Sequence, residues 1–357
     1  MSSAQQPPAS PVMEAVERAR RALMRHDAEA ATRLVSAYGV IWQELQREIE
    51  ALDDALAAGR DTTYLRRRIL ALSEQVLEEV ERYAVYADRE VAVQVQAGIV
   101  QGLKDASHIV GQAYNIVGQA AFRTIWNDLP TDAVEAMLGM TGESSPLWYR
   151  MTGTLGEAVA GQVREALLQG VALGWNPVKV QDTLRRRLGE GLTWSLTATR
   201  TAHLWAYREA TRCGYLANPD IVKGWVWLAA LDPRTCAACW AMHGTRHPLT
   251  ERLNDHHNGR CSQFPITATW AELGFPGVPD VAYQPEAGEA VFRRLPVEQQ
   301  IKTLGPARWA AWQAGEFQFA DLAGHHDDPI YGQMVTAASL KGILGERAKA
   351  YYSQPAH

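Results

Sequence analysis

Cysteine is scarce in this chain, four in 357 residues, too few for the disulfide framework that holds small secreted domains together. Nor is there any apolar run near the roughly 18 residues a membrane-spanning helix needs, so no membrane partner is expected. The opening "MSSAQQPPASPVMEAVERAR" carries no export-signal core. It reads as a disordered tail over 1–10 that leads into a helix. Positive charge is not in excess: 35 Lys and Arg face 40 Asp and Glu, a net charge of −5. That removes any global pull toward nucleic acid and leaves only a local basic patch open. The H-E-x-x-H pattern of a zinc peptidase does not occur, and neither does an internal repeat.

What is present is the composition of a soluble protein, 47% hydrophobic and 21% charged, long enough for two or three structural units. From Pro11 to about Gly59 the apolar positions Val35, Tyr38, Trp42, Leu45, Ile49, Leu52 and Leu56 step by three and four. "GRDTT" breaks the pattern, with Gly59 ending one helix and Asp61, Thr62 or Thr63 capping the next. A second seam runs through Leu65, Ile69, Leu72, Val76, Val80 and Tyr83. Two long helices joined by a short loop predict an antiparallel hairpin.

Helical patterning continues with punctuation at "NDLP" and "GESSP", resumes over Leu147 to Gly170, and restarts at Asn176-Pro177. A further helix, "WSLTATRTAHLWAYREATRCGYLAN", ends near Asn218. At Ile221 the grammar changes to strand, with Trp225 and Trp227 alternating before a turn at Asp232-Pro233. After Pro265 comes a Pro/Gly-rich linker, then short helices around Pro296 to Leu304, Pro306 to Gly315 and Ala338 to Tyr351. The expected fold is mainly α with a small α+β domain: helical over 11–190, α+β over 191–268, linker and helices over 269–357.

The chemistry concentrates in "LDPRTCAACWAMHGTRHPLTERLNDHHNGRC", residues 231 to 261, which holds three of the four cysteines and four of the ten histidines. Cys236 and Cys239 form a C-x2-C pair, the usual half of a tetrahedral zinc site. Cys261 is the obvious third ligand, and His256, His257, His243 or His247 is open as the fourth. Cys236, Cys239, His256 and Cys261 would make a closed, structural Cys3His site. The competing readings are a set of reduced buried residues and, in a particle exposed outside the cell, a disulfide. An open zinc hydrolase would need a carboxylate base, for which Asp232, Glu251 and Asp255 lie near in sequence. From Trp225 to Pro265 only four arginines oppose these three acids, which gives little phosphate-gripping surface.

The order of motifs resembles the phage Mu F-like family of head morphogenesis (minor capsid) proteins. The matching residues are Arg200-Thr201 on a helix, Trp227, Asp232, Arg234-Thr235-Cys236, Cys239, Gly244, His256, Asn258, Arg260, Cys261 and Pro265. The similarity is most specific over 196–267. A weaker likeness extends to the C-terminal "RLPVEQQIKTLGPARWAAWQAGEFQFADLA" and "SLKGILG". Ala202 stands where the family often has an acid, His257 where proline is usual, and Gly259 where a further cysteine is common. Without that cysteine, His256 and Cys261 are left as the completing pair.

The resemblance implies a non-enzymatic minor head protein, made in the host bacterial cytoplasm and carried in the virion. Its implied partners are the portal protein, the major capsid or scaffold proteins and, non-specifically, packaged DNA. The alternatives are a zinc-dependent nuclease, a phage-delivered toxin, or a DNA-binding packaging accessory. Zinc is the expected cofactor, in a structural role. Asp232 and Arg234 are expected to organise the turn before the cysteines, and Arg200 to pair with Asp232 and brace the cluster. The triplets Arg66 to Arg68 and Arg185 to Arg187 read as solvated helix faces. His325, His326, Asp327 and Asp328 read as a flexible polar loop.

Overall fold

The computed structural model describes residues 10–114, 126–127, 139, 141, 145–151, 153, 161–162, 165, 177–280 and 284–352. Residues 1–9 of the tail expected over 1–10, most of the helix expected between Leu147 and Gly170, and the Asn176 cap lie outside them. In chain order the elements are α1 (Pro11–Ala57), α2 (Thr62–Ala113), α3 (Pro146–Met151), α4 (Pro177–Leu216), β1 (Val222–Leu228), α5 (Ala237–Met242), β2 (Arg246–His247) and β3 (Ser262–Thr267). Then follow α6 (Gly288–Arg293), α7 (Val297–Leu304), α8 (Pro306–Gln313), a 3-10 turn (Phe319–Leu322), β4 (Ala323–Asp328), β5 (Gly332–Ala337), α9 (Leu340–Leu344), a second 3-10 turn (Gly345–Ala348) and α10 (Lys349–Tyr352). The protein is thus mainly α with a small β part. It divides into two compact units, one of Met24–Ala97 and Glu135–His203, the other of Met1–Leu23, Gly98–Val134 and Leu204–His357.

The first unit contains the helical hairpin. Gly59 sits at φ +68, the left-handed conformation that ends α1 cheaply only for glycine. Asp61 Oδ1 accepts the Tyr64 N–H at 2.8 Å and caps α2. Arg33 pairs with Glu90, Tyr38 stacks edge-on against Tyr83, and Glu48 meets Arg68. The rising number on one helix against the falling number on the other is the antiparallel register. The buried stripe of α1 runs through Ala30, Leu34, Tyr38 and Ile41. Val35, expected in the seam, is 47% exposed because Leu34 fills the inward position beside it.

Helix α4 joins this unit through Tyr38 to the Leu188 carbonyl and Tyr83 to Ser195 at 2.9 Å. The sequence reads as two helices here, but α4 runs unbroken through Gly189 and Gly191. A glycine inside a helix costs only about 1 kcal/mol, and the contacts of Leu188 and Ser195 on either side outweigh that.

The second unit is built on a three-stranded antiparallel sheet in the order β2-β1-β3. Trp225 and Trp227 share one face of β1 and both are fully buried, their rings 6.2 Å apart. The Trp225 indole N–H is satisfied by the Pro248 carbonyl at 3.1 Å. The sheet packs against Val12 and Val16 of α1, Ile109 and Val110 of α2 and Tyr215 of α4. A second apolar cluster gathers Phe292, Leu304, Trp312, Phe319, Leu322, Leu340 and Leu344. Short α5 stands between the two: Ala238 and Cys239 belong to the first cluster, Ala237 and Trp240 to the second.

His325 to Asp328 are not a flexible loop. They form β4, paired with β5 from Ala323↔Ala337 to Asp328↔Gly332. The sequence signal was weak because β4 is polar along most of its length, and the buried apolar residues of the two strands, Met334 and Val335, lie on β5. Asp328 ties its turn by accepting the Ile330 and Tyr331 N–H groups at 2.8 and 3.1 Å.

Candidate metal centre

Two loops meet at the start of α5. The first follows β1 and turns at Asp232. Asp232 Oδ1 accepts the Arg234 N–H at 2.9 Å, and the Asp232 N–H donates to Thr235 Oγ1 at 3.0 Å. Arg260 from the second loop grips the Asp232 carboxylate with both terminal guanidinium nitrogens, which holds that carboxyl well below the usual range. Arg234 therefore shapes the turn with its backbone, its side chain being 78% exposed. Leu231, at φ +52, carries the backbone strain of this turn. The result places Cys236 directly before α5, where its Sγ accepts the Cys239 N–H.

The second loop brings His256. Its Nδ1 lies 2.8 Å from the His257 carbonyl and must donate to it, so the ring, when neutral, offers its lone pair at Nε2. Nε2 sits 3.1 Å from Cys236 Sγ and 3.3 Å from Cys239 Sγ. Ligands of a tetrahedral zinc ion, at about 2.3 Å for sulfur and 2.0 Å for nitrogen, are spaced by roughly 3.5 Å. The donor set therefore fits a thiophilic divalent cation. Cys236, Cys239 and His256 lie mutually within 4.8 Å, and so do Cys239, Asp255 and Cys261. Cys239 is common to both groups, so the four residues singled out by spacing are brought together, with Asp255 added.

In the metal-free cluster the charge sits on a Cys236–His256 pair, and a metal ion would have to displace the His256 proton. Cys236 drops to about 5, through its hydrogen bond with Cys239 and, against the opposing effect of burial, through His256. Burial disfavours the His256 imidazolium, but the Cys236 bond and the Asp255 charge prevail and lift its pKa to about 9. Cys239 is pushed far up by the adjacent Cys236 and Cys261 sulfurs, then by burial. One thiolate forms readily and a second and third are opposed by the first. A bound divalent cation reverses that opposition.

Asp255 is the residue that spacing alone misses. Fully buried, it accepts the His256 N–H at 2.9 Å, the Cys261 N–H at 3.1 Å and the Cys239 thiol at 3.3 Å. Burial pushes its pKa up, but the Arg208 charge outweighs that and holds it low. Arg208, 6% exposed on α4, reaches Asp255 Oδ2 at 3.3 Å, the Gly259 carbonyl at 2.7 Å and the Cys261 carbonyl at 2.9 Å. It braces the cluster in the way expected of Arg200. Arg200 instead faces Asp27, 3.4 Å away, beside an Asp27–His203 bond of 2.7 Å. Two turns of helix separate Arg200 from Arg208, enough to move the side chain from one environment to another. The signal for Asp255 was the "DHHNG" run, a carboxylate followed by Asn258, at φ +59, and Gly259, which together make a tight turn.

The other histidines are committed elsewhere. His243 Nδ1 accepts the Ala229 N–H at 3.0 Å. His247 stacks on Trp225 and bonds Glu251 and Thr245, each at 2.8 Å. His257 Nε2 reaches Asp328 at 3.1 Å, and the Val335 N–H donates to the Asn254 carbonyl at 2.7 Å. The β4–β5 hairpin thus buttresses the ligand loop.

Two predictions follow from local geometry. A Cβ on Gly259 would lie 2.1 Å from the Asp255 carboxyl carbon, so Gly259→Ala must displace the loop's anchor. It is expected to destabilise by on the order of 3 kcal/mol, at the upper end for overpacking, read as a shift in the urea midpoint. His243 is held neutral by burial and by the Arg20 charge, its pKa lowered to about 4. Between the unfolded value of about 6.5 and 4 only the unfolded chain gains the proton, so this group withdraws stability as pH falls through that window. An NMR titration of the ring should show it neutral at pH 5; a midpoint near 6.5 contradicts the assignment.

Compared with family models, curated proteins and solved structures, the chain matches none.

Proposed function

We propose that the protein is a phage minor head protein that acts in head assembly at the portal and inner capsid, without catalytic activity of its own. One structural zinc ion would be held by Cys236, Cys239, His256 and Cys261. The observation that carries this reading is convergence. Several of the motif residues between Asp232 and Cys261 that resemble the phage Mu F-like pattern are dispersed in sequence yet lie together at one cluster, with structural tasks that can be named. Asp232 and Arg260 pair, Thr235 closes the turn, and Cys236, Cys239, His256 and Cys261 supply donors. Gly244, at φ +85, allows an approach to Glu286 and Ala287 that a Cβ would block.

Zinc in such a set supplies a fixed tetrahedral cross-link between the two loops. A hydrolytic reading asks for a carboxylate free to take a proton from water. Asp255, the buried acid at the cluster, is already engaged by Arg208, two backbone N–H groups and a thiol. Nothing in that arrangement favours the nuclease.

Co-expression with portal, scaffold and major capsid proteins, followed by purification of heads, tests the assignment. The protein should co-purify at a fixed low copy number. Heads that assemble, package and infect equally well without it would overturn the proposal.

A further inference from the structure

We infer that one face of the three-stranded sheet forms a binding site for a small amphiphile with a single anionic group on an apolar body, independently of the zinc reading. A cavity of about 370 Å³ opens there, within the size range of small-molecule sites. Its floor is the row Arg246–Val226–Phe264, cross-strand neighbours on β2, β1 and β3 that share a face by register. Ile266 extends the floor, and Tyr114 and Trp270, set edge to face at 5.2 Å, form a wall.

The cations reach this face by identifiable means. Lys223 and Val226 are three residues apart and would point to opposite faces of a regular strand. The register shifts between Val222 and Gly224, and this bulge turns Lys223 toward the cavity. Arg246 is placed there by its pairing with Val226. Neither has its donors filled. Lys223 bonds the Pro219 carbonyl at 3.1 Å and Arg246 the Gln284 amide oxygen at 3.1 Å, and among the described residues neither makes a salt bridge.

Two acids also line the cavity, but both are committed to the turn that follows β3. Glu272 accepts the Thr269 N–H and hydroxyl at 2.7 and 2.9 Å, and Asp280 accepts the Trp270 N–H at 2.7 Å. Trp270 contributes apolar ring surface to the wall. The Lys223 charge also acts on the Glu272 carboxylate, which leaves Arg246 as the cation with no acid paired to it among the described residues. Two cations with donors to spare and aromatic walls together point to the amphiphile.

The probe is 1-anilinonaphthalene-8-sulfonate, titrated by fluorescence against the full native chain, with decanoate as a non-aromatic competitor. Saturable one-site binding is expected, competed by decanoate and weakened at least tenfold by Lys223→Glu with Arg246→Glu. Both cationic positions are exposed, so unchanged circular dichroism and melting temperature will confirm that the double variant is folded. N-Phenyl-1-naphthylamine, the same body without the anion, should bind at least tenfold more weakly. Absence of saturable binding, equal binding of the neutral analogue, or full retention in the charge-reversed protein would each overturn the inference. Competition by decanoate assigns the site to anionic amphiphiles in general, and its failure restricts the class to aromatic anions.

Discussion

Cys239→Ser is expected to reduce zinc from about one ion per chain to less than about a tenth, and to make the protein indifferent to chelators. Cys239 is the donor common to both ligand groups and is 3% exposed. A serine hydroxyl reaches less far and remains protonated at neutral pH, so it does not replace a thiolate. A ligand that binds only the folded chain stabilises it by about 4 kcal/mol at a thousandfold excess over its Kd. Chelation of the wild-type protein should therefore remove on the order of 4 kcal/mol. The same treatment of the variant should remove almost nothing, because the ion is already absent. The loss should be felt beyond the cluster, since α5 presents Ala238 and Cys239 to one apolar cluster and Ala237 and Trp240 to the other. Limited proteolysis should then cut more readily between residues 268 and 290. Cys213→Ser, outside both ligand groups, serves as the control and should leave zinc content unchanged.

Arg208→Met should cost roughly 3–5 kcal/mol of folding stability, the range for removing one partner of a buried ion pair. The change strands the Asp255 carboxylate, which is fully buried, and also withdraws donors from the Gly259 and Cys261 carbonyls. Arg200→Met should cost no more than about 1 kcal/mol, since Arg200 is 40% exposed and solvent screens its attraction to Asp27. If Asp255 carries the effect, Arg208→Met combined with Asp255→Asn should lose less than the sum of the separate changes. Equal costs for Arg200 and Arg208 in urea denaturation would contradict the assignment of Arg208 as the brace.

The helical hairpin was legible because its signals are local. A three-four repeat, a glycine with positive φ and a capping aspartate all act within a few residues. The choice of Leu34 over Val35 for the buried stripe was not, because both are apolar and only the partner helices decide. Strand β1 showed itself by its β-branched and aromatic run. Strand β4 did not, since its polar residues lean on β5, whose Met334 and Val335 supply the burial.

In the cluster, the donors were found by residue type and spacing. Their supports were not, because Arg208 and Asp255 are 47 residues apart and the interaction is a property of tertiary packing. The same distinction explains Gly259. The space beside it is taken by the Asp255 carboxylate, so the position that often holds cysteine in the phage Mu F-like pattern has no room here for a side chain.

The central claim is that Cys236, Cys239, His256 and Cys261 together hold one zinc ion. Elemental analysis of protein purified without chelator, paired with the visible spectrum after cobalt substitution, tests it most directly. The account predicts about one zinc per chain and a tetrahedral cobalt spectrum with sulfur-to-metal charge transfer that weakens in Cys236→Ser and Cys261→Ser. Near-zero metal, or a disulfide joining any two of these cysteines in the native protein, would contradict it.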